Sequence, residues 1–276
     1  MGAAATTVRG LMADCGLPRL EARMLLERVL DKPRAWLLAH DTDVLAPGPV
    51  AAFQALCARR LAGEPMAYLL GEREFMGHVY AVAPGVLIPR PETELLVETA
   101  LECLAGQQAP RVLDLGTGSG AIAVAIALAR PDAHVTATDA SPEALAQAGA
   151  NAQRLGAPRV RCLAGDWYAA LPDGDAPFDL IVSNPPYIAA GDVHLEQGDL
   201  RHEPRGALTD EADGLSALAR IVAGARAWMA PGARLWLEHG WDQAAAVRQL
   251  LADAGFRNAA SRRDLAGIER ISGANL

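Results

Sequence analysis

From residue 111 onward, short apolar runs alternate with longer stretches of mixed polarity. Residues 111–115, 134–138, 160–164, 178–183 and 233–238 have the length and composition of buried parallel strands. Residues 121–130, 142–155, 214–229 and 241–254 have the length and spacing of helices. Ser141 is a good N-cap, with Pro142 at the first helical position and Glu143 behind it, and Gly156 is a good helix stop. Two short strands are expected near 257–262 and 268–272. This alternation predicts an α/β fold with a doubly wound sheet.

The first 75 residues follow a different pattern. None of their apolar runs reads as a strand. Leu20, Met24, Leu25, Val29 and Leu30 recur at helical spacings, residues 51–62 form an Ala- and Leu-rich helix, and Pro33, Pro47 and Pro49 punctuate the segment. A small all-helical domain is expected, suited to recognition or covering rather than chemistry. Residues 75–82 then take on β character, Ala83-Pro84-Gly85 supplies a turn, and Val86-Leu87-Ile88 is apolar again. This reads as a β-hairpin linker, in which His78 is structural. Pro89-Arg90-Pro91-Glu92-Thr93-Glu94 opens a helix reaching about Cys103, with Pro91 near its first position and an acidic first turn. The expected division is 1–75 for the helical domain, 76–89 for the hairpin and 90–276 for the α/β domain.

Composition narrows the function. The formal net charge is −8, and residues 76–276 hold all of the acidic excess. Non-specific nucleic-acid binding leaves a basic footprint. None is visible at this level, although Arg201 and Arg205 can form a local cluster. Cys15, Cys57, Cys103 and Cys162 are far apart, which argues against a zinc site or a redox dithiol and for reduced thiols in a cytoplasmic protein. No metal site is expected. No apolar run is long enough to span a bilayer, and the N-terminus lacks a signal-peptide pattern. Residues 1–6 formally match an acylation pattern, which is discounted because the match is short and its context bland.

Candidate chemistry gathers where strands end. Asn184-Pro185-Pro186-Tyr187 follows the strand at 178–183, and ligand crevices in open α/β sheets lie outside the carboxyl ends of the strands. The prolines have no N–H, so their carbonyls only accept, and their rings stiffen the loop. Asn184 adds a side-chain acceptor and Tyr187 a flat apolar face with a polar tip. Such a cluster suits a planar group bearing an NH₂, an amide or a base amine. The alternative is a Pro-Pro turn with Asn as a turn residue. Gly116, Gly118 and Gly120, with Thr117 and Ser119 between them, fill a strand-to-helix turn where backbone can approach a ligand closely. Asp139 ends the next strand, at the place of an acid that accepts ribose hydroxyls; otherwise it caps the following helix. Trp167 follows Asp166 at the third strand's end and either flanks an adenine or packs at the sheet edge. Together these residues suit a ribonucleoside-shaped ligand beside Asn184. Glu92, Glu94, Glu196, Glu203 and Glu238 are candidates to lie near it with no role assigned, and His202 and His239 read as structural.

The run Asp114-Leu115-Gly116-Thr117-Gly118-Ser119-Gly120, with Asp139 and Asn184-Pro185-Pro186-Tyr187, resembles the class I (Rossmann-like) S-adenosylmethionine-dependent methyltransferases that act on amide or amino nitrogen. Gly71-Glu72-Arg73-Glu74-Phe75, Leu87-Ile88-Pro89-Arg90-Pro91-Glu92-Thr93-Glu94, His194-Leu195-Glu196, Arg201-His202-Glu203-Pro204 and Leu237-Glu238-His239-Gly240 extend the resemblance to the release-factor glutamine N5-methyltransferases. The resemblance covers essentially the whole chain. It implies S-adenosyl-L-methionine as cofactor, held by Gly116 to Gly120, Asp139, Trp167 and Asn184. It implies Asn184 to Tyr187 as the substrate-holding, catalytic tetrad, a peptide chain release factor as protein substrate, and a monomer acting without nucleic acid or membrane. Rivals are a ribosomal-protein glutamine methyltransferase, a DNA adenine N6-methyltransferase using the same tetrad on a flipped base, and a non-catalytic cofactor-binding module. The acidic C-terminal part speaks against the DNA enzyme, and the intact tetrad against the binding module.

Overall fold

The computed structural model describes residues 6–276, so the acylation-like pattern lies almost wholly outside the described residues. The described chain divides into two compact units, with the boundary in sequence between Glu72 and Arg73.

The first unit is all-helical: α1 (Val8–Asp14), α2 (Arg19–Leu30), α3 (Arg34–Ala39), α4 (Pro47–Leu61) and α5 (Met66–Leu70). Thr7 caps α1 by accepting from the Gly10 N–H. Val8, Leu25, Leu26, Leu37, Phe53 and Leu69 make its buried core. The Arg60 guanidinium pairs with Glu21 at 2.8 Å, tying α4 to α2.

The second unit opens with a hairpin, β1 (Glu72–Phe75) and β2 (His78–Ala81). Its turn differs from the expected one at 83–85. Met76 and Gly77 both have positive φ, 52° and 74°, as a two-residue hairpin loop of matching twist requires. Met in a left-handed position carries no turn signal, so the sequence hid it. Residues 83–88 form no strand. The hairpin is also part of this unit's core rather than a tether: Phe75 and Tyr80 are buried with Leu96, Ile122 and Ile126, and Asn151 brackets Ala81 through both its N–H and its carbonyl.

The remaining elements are α6 (Glu94–Cys103), β3 (Arg111–Leu115), α7 (Ala121–Ala129), β4 (His134–Asp139), α8 (Pro142–Leu155), β5 (Arg161–Ala164), β6 (Phe178–Ser183), α9 (Arg205–Leu208), α10 (Ser216–Ala225), β7 (Met229–Glu238), α11 (Ala244–Asp253), β8 (Arg257–Arg263) and β9 (Glu269–Asn275). They build a seven-stranded sheet in the order β5-β4-β3-β6-β7-β9-β8. The strands β3 to β7 run parallel, and β9 is antiparallel to both of its neighbours, β7 and β8. This is the doubly wound α/β sheet that the alternation predicted and the resemblance implied. Cores lie on both faces of the sheet, one around α6 and α7 and one around α10 and α11. No helix among the described residues is long and apolar enough to cross a membrane.

The topology places the site. β3 pairs with β4 on one side and β6 on the other. The chain therefore reverses direction of winding at β3, and a crevice opens at its carboxyl end. Leu115, Thr138 and Ser183 sit at matching register there. The residues that follow them all leave the sheet at one edge.

Candidate functional site

A cavity of about 410 Å³ lies at that edge, lined by Gly116, Gly118, Asp139, Trp167, Asn184 and Pro186 among others. Its size is within the range of small-molecule sites.

The glycine loop forms one wall. Gly116, Gly118 and Gly120 have φ of 70°, 56° and 82°, a region that side-chain-bearing residues rarely adopt. They do different work. A Cβ on Gly118 would meet nothing within 4 Å, whereas one on Gly120 would press on Ala148 at 3.0 Å and one on Gly116 would lie 3.3 Å from the Trp167 ring. Gly116 and Gly118 therefore expose backbone to the cavity, and Gly120 lets α7 start against α8. Thr117 and Ser119 are buried and turned inward: the Thr117 hydroxyl donates to Asp114 at 2.6 Å, and the Ser119 carbonyl accepts from Asn151. They shape the loop without lining the cavity.

Asp139 ends β4 and fastens the loop. Its Oδ2 accepts from the Gly118 N–H and its Oδ1 from the Ser141 N–H, each at 2.9 Å. Each oxygen keeps a further lone pair, so the carboxylate can still receive hydroxyl donors from the cavity. Trp167 has φ of 52° and sets its ring against Gly116. Gly165 makes that turn workable, since a Cβ there would strike the Ala170 backbone at 2.6 Å. A half-buried acceptor carboxylate at the cavity wall, bare loop backbone and an indole face are what an adenosine-bearing ligand requires, so the residues present fit such a group.

The tetrad forms the opposite wall. Asn184 and Pro186 line the cavity, while Pro185 and Tyr187 do not. The Asn184 amide is fixed, with Nδ2 donating to Thr93 Oγ1 at 3.2 Å. That leaves Oδ1 as the free acceptor. Tyr187 turns into the fold, and its hydroxyl donates to Glu238 Oε1 at 3.2 Å. Burial, then the nearby Glu238 carboxyl, raises the Tyr187 pKa far above its ordinary value, so the hydroxyl keeps its proton. The loop beyond is pinned by Gln243, which donates to the Tyr187 carbonyl at 3.0 Å. Gly214 packs against that same carbonyl, where a Cβ would be 2.4 Å away.

Two buried acids underlie the two walls. Burial pushes Asp114 up to about 7, with the Thr117 hydroxyl and the Ala123 backbone pulling back and Asp139 adding to the rise. Burial likewise pushes Glu238 up to about 7; the Thr93 and Tyr187 hydroxyls and Arg270 pull back, and Glu92 adds to the rise. Of the other acids in question, Glu203 is buried and pairs with Arg90, while its Oε2 accepts from the Ile88 N–H at 3.1 Å. It thereby fastens the segment carrying Val86 and Leu87 to the segment of Pro204, Gly206 and Ala207, all five of which line the cavity. Glu94 accepts from the Met76 N–H at 2.7 Å, anchoring the hairpin turn. His239 is fully buried and bonded to Ser272 at 2.8 Å, a structural role.

Sequence reasoning passed over Thr93 and the cavity walls at 85–87 and 204–207. Thr93 was visible only as part of a helix start, and nothing local announces a partner 91 residues away.

Comparison with known proteins places this geometry in a family. Residues 91–199 match the family described as "Methyltransferase small domain", and residues 7–71 match "PrmC N-terminal domain". A release factor glutamine methyltransferase of Bordetella pertussis is 70% identical over 98% of this chain and 100% of its own length. One of Burkholderia pseudomallei is 56% identical over 98% of this chain and 96% of its own. The crystal structure of a methyltransferase from Pyrococcus furiosus superposes with a TM-score of 0.54 at 19% identity, covering 79% of this chain and 95% of that one, which speaks to the fold alone. With sequence agreement this high from end to end, the chain belongs to the release factor glutamine methyltransferase family.

Proposed function

We propose that the chain transfers a methyl group from S-adenosyl-L-methionine to the side-chain amide nitrogen of a glutamine in a peptide chain release factor. The observation that carries this reading is the fixed Asn184 amide at the cavity wall, with Nδ2 engaged by Thr93 and Oδ1 left to accept. When bound, the cofactor supplies an electrophilic methyl on a sulfonium. Gly116, Gly118 and Trp167 hold its adenosine part, and Asp139 receives its ribose hydroxyls. Thr117, Ser119 and Gly120 keep the loop in shape beneath it.

An amide nitrogen is a poor nucleophile because its lone pair is delocalised into the carbonyl. Asn184 Oδ1, at the cavity wall, accepts from its N–H group, which orients the nitrogen and strengthens as positive charge develops there, and Pro185 stiffens the loop that carries Asn184. Pro186 and Tyr187 complete the rigid holder. With the cofactor bound, the amide nitrogen would give its electron pair to the new N–C bond as the sulfonium kept the C–S pair, and the amide proton would pass to water. Positioning supplies much of the acceleration, and the residues include no group that needs to act as a strong base.

In this reading the protein is a cytoplasmic monomer needing no nucleic acid. Residues up to 72 contribute to recognising the release factor, and residues 73–276 bind cofactor unaided. Because Phe75 and Tyr80 belong to the second unit's core, a truncated protein that tests this starts at residue 72 or before. Parallel assays of methyl transfer to purified release factor, ribosomal protein and DNA test the substrate. Transfer to release factor alone is expected; transfer to DNA or to a ribosomal protein instead overturns the assignment.

A further inference from the structure

Asn184 accepts a substrate N–H only if its amide oxygen faces the cavity. Turned by half a rotation, the carboxamide offers NH₂ there instead, and the side chain itself does not choose. The choice is made behind it. Asn184 Nδ2 donates to Thr93 Oγ1 at 3.2 Å, and Thr93, at the start of α6, is 4% exposed. A hydroxyl has one proton, and a buried donor needs an acceptor. Beside Thr93 lies Glu238, at the end of β7 and 1% exposed, whose carboxyl also accepts from Tyr187 at 3.2 Å. Its Oε2 is buried without a hydrogen-bond partner, an acceptor left open to the Thr93 hydroxyl. Arg270 and Glu92 are the charged groups that act on it.

We propose that Thr93 and Glu238 are positioning residues for methyl transfer: the Glu238 carboxylate accepts a hydrogen bond from the Thr93 hydroxyl, which leaves Thr93 able only to accept from Asn184 and locks the Asn184 oxygen toward the substrate amide. The relay spans three distant segments and joins both ends of the tetrad, since Tyr187 and Asn184 reach the same carboxyl. It also favours a substrate that donates hydrogen bonds over one that only accepts them, glutamine over glutamate. The inference rests on the glutamine methyltransferase reading above.

Thr93→Val removes the hydroxyl at constant volume, and Thr93→Ser keeps it. Single-turnover methylation of release factor at saturating cofactor is expected to fall about tenfold or more in Thr93→Val, with a smaller change in cofactor affinity. Thr93→Ser is expected to restore most of the rate. In an Asn184→Ala background, Thr93→Val is expected to cost little more, because both act through one contact. A readout independent of turnover is the side-chain NH₂ signal of Asn184 in ¹⁵N-labelled protein without ligand, assigned by its loss in Asn184→Ala. Its hydrogen-bonded shift is expected to disappear in Thr93→Val and persist in Thr93→Ser. A signal in Thr93→Val that keeps its wild-type position, or an equal rate loss in both Asn184 backgrounds, overturns the relay. An inactive wild-type protein on release factor overturns the substrate reading instead, and the NMR comparison still decides the relay.

Discussion

The two walls of the cavity are built by opposite means. The cofactor wall is local: Gly116 to Gly120 lie in one loop, Thr117 is tied to Asp114 three residues away, and Asp139, which fastens Gly118, is 21 residues from it. Its work is done by backbone that only glycine can shape. The tetrad wall is non-local: Asn184 depends on Thr93, 91 residues away, and Tyr187 on Glu238, 51 residues away. Its work is done by side chains whose orientation is fixed from three segments. A buried acid sits under each wall, Asp114 at 0% and Glu238 at 1% exposure. The contrast teaches that binding a constant ligand can be delegated to a loop, whereas aiming a reactive amide draws on the whole unit.

The buried acids sharpen the comparison most. Each has a folded pKa of about 7, above its unfolded value. The native state therefore holds these protons longer than the unfolded one, and their ionisation destabilises the fold as pH rises from about 4 to 7. The full effect is on the order of 3–4 kcal/mol per group. His239, whose pKa burial lowers, acts oppositely and gains stability as pH rises toward its unfolded value. Asp114→Asn and Glu238→Gln isolate each contribution. Urea unfolding at about pH 4 and pH 8 is expected to show each variant gaining on the wild type at the higher pH. A constant difference across that range breaks the symmetry between the walls.

The same contrast explains what the sequence disclosed. The strand–helix alternation, the glycine turn and the Ser141 cap of α8 are written in adjacent residues, and Ser141 indeed accepts from the Ala144 N–H at 3.1 Å. The tetrad showed where its residues lie but not which way they face: Asn184 toward the cavity, Tyr187 away from it. Thr93 and the role of Glu238, a candidate to lie near the site with no role assigned, stayed illegible because a hydrogen bond between distant segments leaves no periodic or compositional trace. The hairpin turn failed for a smaller reason, since Met76 adopts a conformation its side chain does not advertise.

Truncating the tetrad wall at its tip is the next largest effect. Asn184→Ala is expected to reduce single-turnover methylation about a hundredfold or more, the usual consequence of losing one preorganised polar contact. Asn184 is at a strand end and fills no large core space, so melting is expected to change little. A near-wild-type rate would make the tetrad a structural turn. On the other wall, Asp139→Ala removes the fastener of Gly118 and the ribose acceptor together. Calorimetry is expected to show cofactor binding weakened by about 1.5–3 kcal/mol. Unchanged affinity in a folded variant would remove Asp139 from the site.

The finest test separates glycines within one loop. Gly116 and Gly118 both have positive φ, so alanine at either position carries about 1–2 kcal/mol of backbone strain. They differ in what the new methyl meets. At Gly118 it meets nothing within 4 Å, so strain is the only direct consequence for the fold. At Gly116 it approaches the Trp167 ring at 3.3 Å, and the indole has to shift by a few tenths of an ångström. If Trp167 flanks the adenine, that shift adds to the loss of cofactor affinity in Gly116→Ala. In Gly118→Ala the methyl instead projects into the cavity and competes with the ligand for space. A larger loss of stability is therefore expected in Gly116→Ala than in Gly118→Ala, with a perturbed Trp167 near-ultraviolet signal in Gly116→Ala alone. A spectrum unchanged in Gly116→Ala, together with normal cofactor affinity, would mean that the indole packs the sheet edge and takes no part in the cofactor wall.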